Sequence, residues 1–302
     1  MIDKMVRKRN VMIYFVSKDY ENSDLEHVMN RKLKRADIKT IINHDADVLT
    51  EDGKLLLRFR KHKLSYDNIE AFYENVIGFA VNKTSNRGSA SGSNSKNIFD
   101  NPKVMSNIIG YFDKFSPSQK VKLKQLGKPI PNITVRETRF LVEYPQKFMK
   151  LMPLLKEIDY LYKLLVPDFY IKQKRKAKQT PFHIENTAFT TVTTNVNYQT
   201  AVHTDKGDDS EGFGNLTVIE HGKYKGGETC FPQYGIGVDV RTSDILFMDV
   251  HQPHGNLPIE LMTPDTKRLS IVCYLRINIW EQTHGKTHKF MEKHLSNLKQ
   301  EK

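Results

Sequence analysis

The run Thr190-Thr191-Val192-Thr193-Thr194-Asn195-Val196-Asn197-Tyr198-Gln199-Thr200-Ala201-Val202 is dense in Thr, Val and Tyr, residues that suit a pleated, half-buried surface. It opens a series. Leu216 to Glu220, Thr229 to Phe231, Ile236 to Val240, Ile245 to Val250 and Leu269 to Ile279 follow, parted by Gly, Pro, Asp and Asn. Short strands at this spacing predict a jelly-roll type sandwich.

Working outward, Asp45 to Arg60 predicts two short strands around the Asp52-Gly53 turn, and Tyr66 to Phe79 predicts a helix. Phe148, Leu151, Leu155, Ile158, Leu161, Tyr162 and Leu165 recur at helical spacing. They mark an amphipathic helix over about residues 146–166, with Pro153 as an early kink or start. Residues 82–96, rich in Gly, Ser and Asn, read by composition as a linker. The run Lys172-Gln173-Lys174-Arg175-Lys176-Ala177-Lys178 fits a phosphate contact, an import signal or a solvated loop. The last twenty residues read as a basic helix or tail.

The chain has 302 residues, 38% hydrophobic and 27% charged, which is ample for a large core. No apolar run approaches the ~18 residues of a membrane span, and the start Met1-Ile2-Asp3-Lys4-Met5-Val6-Arg7-Lys8-Arg9 lacks a signal-peptide apolar region. An intracellular protein is expected, in the nucleus if eukaryotic or acting on nuclear DNA and in the cytoplasm of the host cell if phage or bacterial. Two cysteines, Cys230 and Cys273, both in apolar stretches, predict buried thiols and no disulfide framework. A net charge of +12 favours polyanionic partners, and no obligatory protein partner is evident.

The chemistry concentrates downstream. In His203-Thr204-Asp205, positions i and i+2 point to one side of an extended chain, so imidazole and carboxylate can converge on one ion. A third ligand must return from a distant strand, and Asp249-Val250-His251-Gln252-Pro253-His254-Gly255-Asn256 follows the apolar Ile245 to Met248. His254, between Pro253 and Gly255 in a tight turn, is preferred over His251. The pair His183 and Glu185 lies too far upstream to compete. Arg268 and Ser270 share one face of Arg268-Leu269-Ser270-Ile271-Val272 and can hold one carboxylate together. A two-histidine, one-carboxylate iron site using 2-oxoglutarate and dioxygen is the chemistry these residues predict.

Thr200 to Asp208, Gly212-Phe213-Gly214-Asn215-Leu216, Tyr224-Lys225-Gly226-Gly227, Phe231-Pro232-Gln233-Tyr234, His254-Gly255-Asn256 and Arg268 to Val272 resemble successive motifs of the TET and J-binding-protein family of nucleic-acid base dioxygenases. Asn86-Arg87-Gly88-Ser89-Ala90-Ser91-Gly92 and Ile109-Gly110-Tyr111-Phe112-Asp113 are similar to loops of its shorter phage, viral and algal members. The resemblance implies an α+β chain: a double-stranded β-helix (jelly-roll, cupin-like) core over 131–302 with flanking helices, and an N-terminal α/β lobe over 1–130. It also implies oxidation of the C5 methyl of 5-methylcytosine or thymine in DNA, hydroxymethyl product first. The iron ligands implied are His203, Asp205 and His254; the co-substrate residues are Arg268 and Ser270, with Asn197 and Asp208 orienting ligands or co-substrate. Segment 82–96 becomes a candidate DNA-contacting loop through Arg87 and Gly88, and Lys174, Arg175 and Lys176 are further phosphate candidates. Neither a base-J-recognising domain nor a cysteine-rich region stands in this sequence, so recognition is expected from the N-terminal lobe. Two alternatives stay open: ascorbate-dependent glyceryl transfer to 5-methylcytosine, which the algal branch suggests, and a 2-oxoglutarate dioxygenase acting on RNA or protein.

Overall fold

The computed structural model describes residues 1–85, 87–93 and 101–300. These fall into two compact units. The first comprises Met1–Asn107, Thr193–Lys206 and Phe213–Val272; the second comprises Ile108–Val192, Gly207–Gly212 and the chain from Cys273 onward.

The first unit holds strands β1 (Ile2–Lys8), β2 (Val11–Val16), β3 (Thr40–Ile42), β4 (Ala46–Thr50), β5 (Leu55–Arg60), β9 (Gly214–His221), β10 (Tyr224–Gly226), β11 (Thr229–Phe231), β12 (Ile236–Val238), β13 (Ile245–Met248), β14 (Gly255–Asn256) and β15 (Ile259–Leu261), with Ser106 and Asn107 of β6 (Ser106–Asp113), residues 193–196 of β8 (Thr191–Val196) and residues 267–272 of β16 (Lys267–Tyr274). Its main sheet runs β1-β2-β4-β5-β13-β9-β16-β8-β6, and a smaller sheet runs β14-β11-β12-β3. Tyr14, Val48, Leu57, Phe59, Leu246 and Met248 from the main sheet pack with Ile42, Phe231, Ile236 and Val238 from the smaller one in a single core cluster. This is the jelly-roll sandwich that the strand series predicts. Strands β8 and β13 are buried at every position. That explains their continuous apolar or Thr-rich runs, since a strand covered on both faces loses the alternation of a half-exposed one.

The N-terminal residues are not a lobe apart. Strands β4 and β5 form the expected hairpin around Asp52-Gly53, where Gly53 takes φ +76 in the turn. Strand β5 then pairs antiparallel with β13, Ile245 opposite Arg60, and β3 joins the smaller sheet parallel to β12. The expected boundary near residue 130 therefore does not coincide with the division into units. Helix α1 (Tyr66–Ala80) buries Ile69, Phe72, Val76, Phe79 and Ala80, spaced as one helical face.

The second unit carries β7 (Val135–Glu137), which pairs with β6, and helices α2 (Pro117–Gln125), α3 (Arg139–Glu143), α4 (Pro145–Leu165), α5 (Pro167–Ala177), α6 (Ile277–Thr283) and α7 (His288–Gln300). Helix α4 buries Leu151, Leu155, Ile158, Leu161 and Tyr162. The helix covers the expected span of about 146–166; Pro145 supplies its start and Pro153 lies inside it, so of the two roles expected for Pro153, kink or start, the start falls instead to Pro145. The Lys172 to Lys178 run is the end of α5 and not a solvated loop: Gln173 and Ala177 are buried, and their contacts hold the helix against its own charge. The strand expected over Leu269 to Ile279 ends at Tyr274, and Ile277 onward is α6. Helix α7 forms the basic C-terminal element.

Both cysteines are buried free thiols, and burial pushes both well above the usual thiol range. No described helix is long and apolar enough to cross a membrane.

Candidate metal centre

His203 and His254 face each other across an isolated antiparallel bridge in which each backbone N–H donates to the other residue's carbonyl at 2.9 Å. Each ring is then oriented by its own Nδ1, which lies 2.8 Å from the Ala201 carbonyl in His203 and 2.9 Å from the Gln252 carbonyl in His254. A carbonyl only accepts, so Nδ1 carries the hydrogen and Nε2 presents its lone pair. Both Nε2 atoms lie 3.6 Å from the Asp205 carboxylate, one at each oxygen. Among the described residues, this trio is a group whose ligand atoms all lie within 4.8 Å of one another. Two imidazole nitrogens and one carboxylate oxygen on one face suit non-haem Fe(II).

Electrostatics prepare these groups for a cation. Burial pushes His203 down to about 4, aided by the charge of His254. Burial alone would also lower His254, but the facing Asp205 carboxylate outweighs it and raises its proton affinity. Burial would raise Asp205, and His254, His203 and Arg87 together hold it well below the usual carboxylate range.

The segment bearing His203 and Asp205 is pinned along its length. Asn197, in the left-handed region at φ 47 that Asn tolerates, exchanges backbone and side-chain bonds with Arg268. Thr200 donates its N–H and its hydroxyl to Asn256 Oδ1, each at 2.7 Å. Ala201 N–H donates to the Ala90 carbonyl, Val202 N–H to Arg31, and Asp205 N–H to Val250. The Gly-Asn pair after His254 thus ties the distal histidine's turn to the His-x-Asp segment, and the segment around Arg87 supports it from another direction. Residues 84, 85 and 87–93 are accordingly not a linker but a hydrogen-bonded part of the first unit; residues 86 and 94–96 of the expected loop lie outside the described residues.

Arg268 and Ser270 stand on β16, at 4% and 6% exposure. Arg268 Nη2 donates to the Gly227 carbonyl at 2.7 Å, while its Nε is buried with no partner. A buried unpaired donor on a guanidinium is costly unless an acceptor fills the place, and a carboxylate does so. Gly227, at φ +78, makes room for this arginine: a Cβ there would stand 2.7 Å from Arg268 Nε.

Other candidates fall elsewhere. His251 is occupied with Asp249, its Nδ1 3.3 Å from Oδ1, outside the trio. His183 bonds the Thr180 carbonyl through Nδ1 in the second unit. Asn197 spends both ends of its amide on backbone at and just before the start of β16, at Arg268 N and Thr266 O, so it braces the beginning of that strand. Asp208 lies in the second unit, bridged to Arg276. Lys174 is half-buried against Asp159, Tyr170 and the Asn186 carbonyl. Lys176 is paired with Asp209 and Glu211 and lies over Trp280. Arg175 is exposed.

A two-imidazole, one-carboxylate face, together with a buried arginine and serine on β16, carried by jelly-roll sheets, defines the class of Fe(II)- and 2-oxoglutarate-dependent oxygenases. Residues 126–277 match the Tet_JBP family, described as the oxygenase domain of the 2OGFeDO superfamily; the chain belongs to that family. Thymine dioxygenase JBP1 of Trypanosoma brucei brucei is 31% identical over 209 residues, covering 68% of this chain and 22% of that protein. Bifunctional helicase and thymine dioxygenase JBP2 of Leishmania braziliensis is 33% identical over 172 residues, covering 57% of this chain and 14% of that protein. The chain thus spans less than a quarter of these relatives' length. The solved structure of NgTET1 in complex with 5mC DNA aligns with a TM-score of 0.54 at 12% identity, over 93% of this chain and 89% of that one, a likeness of fold.

Proposed function

We propose that this chain is an Fe(II)- and 2-oxoglutarate-dependent dioxygenase that oxidises the C5 methyl of thymine or 5-methylcytosine in DNA, hydroxymethyl product first. The observation that carries it is the convergence of His203 Nε2, His254 Nε2 and the Asp205 carboxylate in a chain of this family. The relatives named above as thymine dioxygenases give the substrate class.

Iron(II) with 2-oxoglutarate and dioxygen would supply the oxidising power for the methyl C–H bond, with succinate and carbon dioxide as by-products. The chain's own residues do the rest. His203, Asp205 and His254 would hold the ion. Arg268 and Ser270 hold the co-substrate's far carboxylate, and the unpartnered buried Arg268 Nε favours this diacid over ascorbate, which has no carboxylate to offer it. The carbonyls of Ala201 and Gln252 keep both imidazoles in the ligating tautomer. A methyl inside a duplex cannot reach a buried ion, so the base must be extruded; Arg87, Gly88 and the exposed Arg175 are the proposed substrate contacts, and the net charge of +12 supports backbone binding.

The test incubates the protein with Fe(II), DNA containing thymine or 5-methylcytosine, and either 2-oxoglutarate or ascorbate, then analyses nucleosides by mass spectrometry. A hydroxymethylated base with 2-oxoglutarate is expected. Succinate formed only on RNA or protein, or product only with ascorbate, would overturn the reading.

A further inference from the structure

A row of buried polar side chains crosses three neighbouring strands of the first unit and ends at Arg87. Ser270 is on β16, Asn195 on β8 and Ser106 at the start of β6, strands that stand side by side. Ser106 Oγ donates to Asn195 Oδ1 at 2.6 Å, and Asn195 Nδ2 donates to Ser270 Oγ at 3.4 Å. Arg87 closes the row, giving Nε to Ser106 Oγ at 2.5 Å and Nη2 to Asn195 Oδ1 at 3.2 Å. Asn195 and Ser106 are 8% and 4% exposed, so water does not compete for these bonds.

The row has a direction, and Arg87 sets it. A guanidinium only donates, so it forces Ser106 Oγ to accept from it and to pass its own hydrogen onward. The Asn195 amide must then turn its oxygen toward Arg87 and Ser106 and its NH2 toward Ser270. With its lone pair facing the amide, Ser270 Oγ has its hydrogen available for an acceptor. With the amide reversed, Ser270 would spend that hydrogen on Asn195 and show a lone pair to any arriving carboxylate. We propose that Arg87 is a positioning residue for the co-substrate: through Ser106 and Asn195 it fixes Ser270 as a donor to the far carboxylate of a keto diacid. This rests on the reading of Arg268 and Ser270 given above. It also gives the segment around Arg87 a second role beside substrate contact.

The experiment measures calorimetric binding of 2-oxoglutarate to the full chain loaded with redox-silent Mn(II), with Mn(II) affinity and melting temperature followed separately. Asn195→Asp is the discriminating variant. It keeps the shape and strengthens the bond to Arg87, yet it presents an acceptor to Ser270; 2-oxoglutarate affinity is expected to fall about tenfold with Mn(II) affinity and melting temperature held. Arg87→Lys keeps the charge but not the fork and is expected to fall similarly. In a Ser270→Ala background Asn195→Asp should cost no more, because the two act as one unit. An undiminished loss there would mean that the added charge alone is felt, and wild-type affinity in Asn195→Asp and Arg87→Lys would likewise overturn the proposal. Arg268→Ala separates the two readings. If it leaves 2-oxoglutarate binding unchanged, the assignment of the co-substrate site itself is at fault.

Discussion

Replacing His254 by Ala removes one of three converging ligand atoms and is expected to abolish stoichiometric Fe(II) binding and turnover. His251→Ala, which removes the side-chain bond to Asp249, is expected to keep both; metal content of the purified variants decides. The protonation of the trio makes a second prediction at the same scale. Burial disfavours a proton on His254 but Asp205 restores it, so its affinity for a proton lies above the ordinary imidazole. A metal must displace that proton. Binding should therefore release protons, and Mn(II) or Fe(II) affinity should decline as pH is lowered through the neutral range; titration calorimetry in two buffers of different ionisation enthalpy measures both. A pH-independent affinity between about pH 8 and about pH 6 would remove His254 from the ligand set.

At the scale of elements, Gly227 lets β16 keep its arginine. Gly227→Ala places a methyl against Arg268 Nε in a backbone region that L-residues rarely adopt, and a loss of 2-oxoglutarate affinity of about tenfold or more is expected while metal stoichiometry holds. In α4, Leu155→Ala opens a cavity in a fully buried site and should cost about 2–5 kcal/mol, read by denaturant unfolding. The elements nearest the site were the most legible. Strand β11 coincides with its predicted span, and β9 and β13 lie within about two residues of theirs, because apolar runs parted by turn residues leave little choice. Strand β1 escapes because basic residues interrupt its pattern on an exposed edge, whereas β2, the apolar run Val11 to Val16, carries no basic residue and its composition alone signals a strand. Helix α5 was hidden because a run of lysines gives no sign that Gln173 and Ala177 are buried. The trio His203, Asp205 and His254 was readable from residue type and order. Asn195 and Ser106 were not: an Asn in a Thr-rich strand and a Ser before an apolar one become partners only when β6, β8 and β16 lie side by side.

For the whole molecule the net charge of +12 is the feature that reaches farthest. Part of the gross positive charge is not free to bind. Lys174 and Lys176 are neutralised internally, so the charge of the run from Lys172 to Lys178 overstates its reach toward phosphate. DNA affinity is expected to fall steeply with salt, by about a thousandfold between about 50 and about 200 mM if roughly six phosphates are contacted. Arg175→Ala should lower the slope of that dependence, whereas Lys174→Ala should mainly lower the melting temperature. A flat salt profile would leave the charge without a role in binding. The two interior cysteines carry a different consequence. Because Cys230 and Cys273 hold their protons in an apolar interior, the native molecule offers an alkylating reagent or a peroxide no thiolate to attack. The sulfur chemistry of the native state thereby stays silent, and the rate at which iodoacetamide finds either thiol becomes a clock for the opening of the fold.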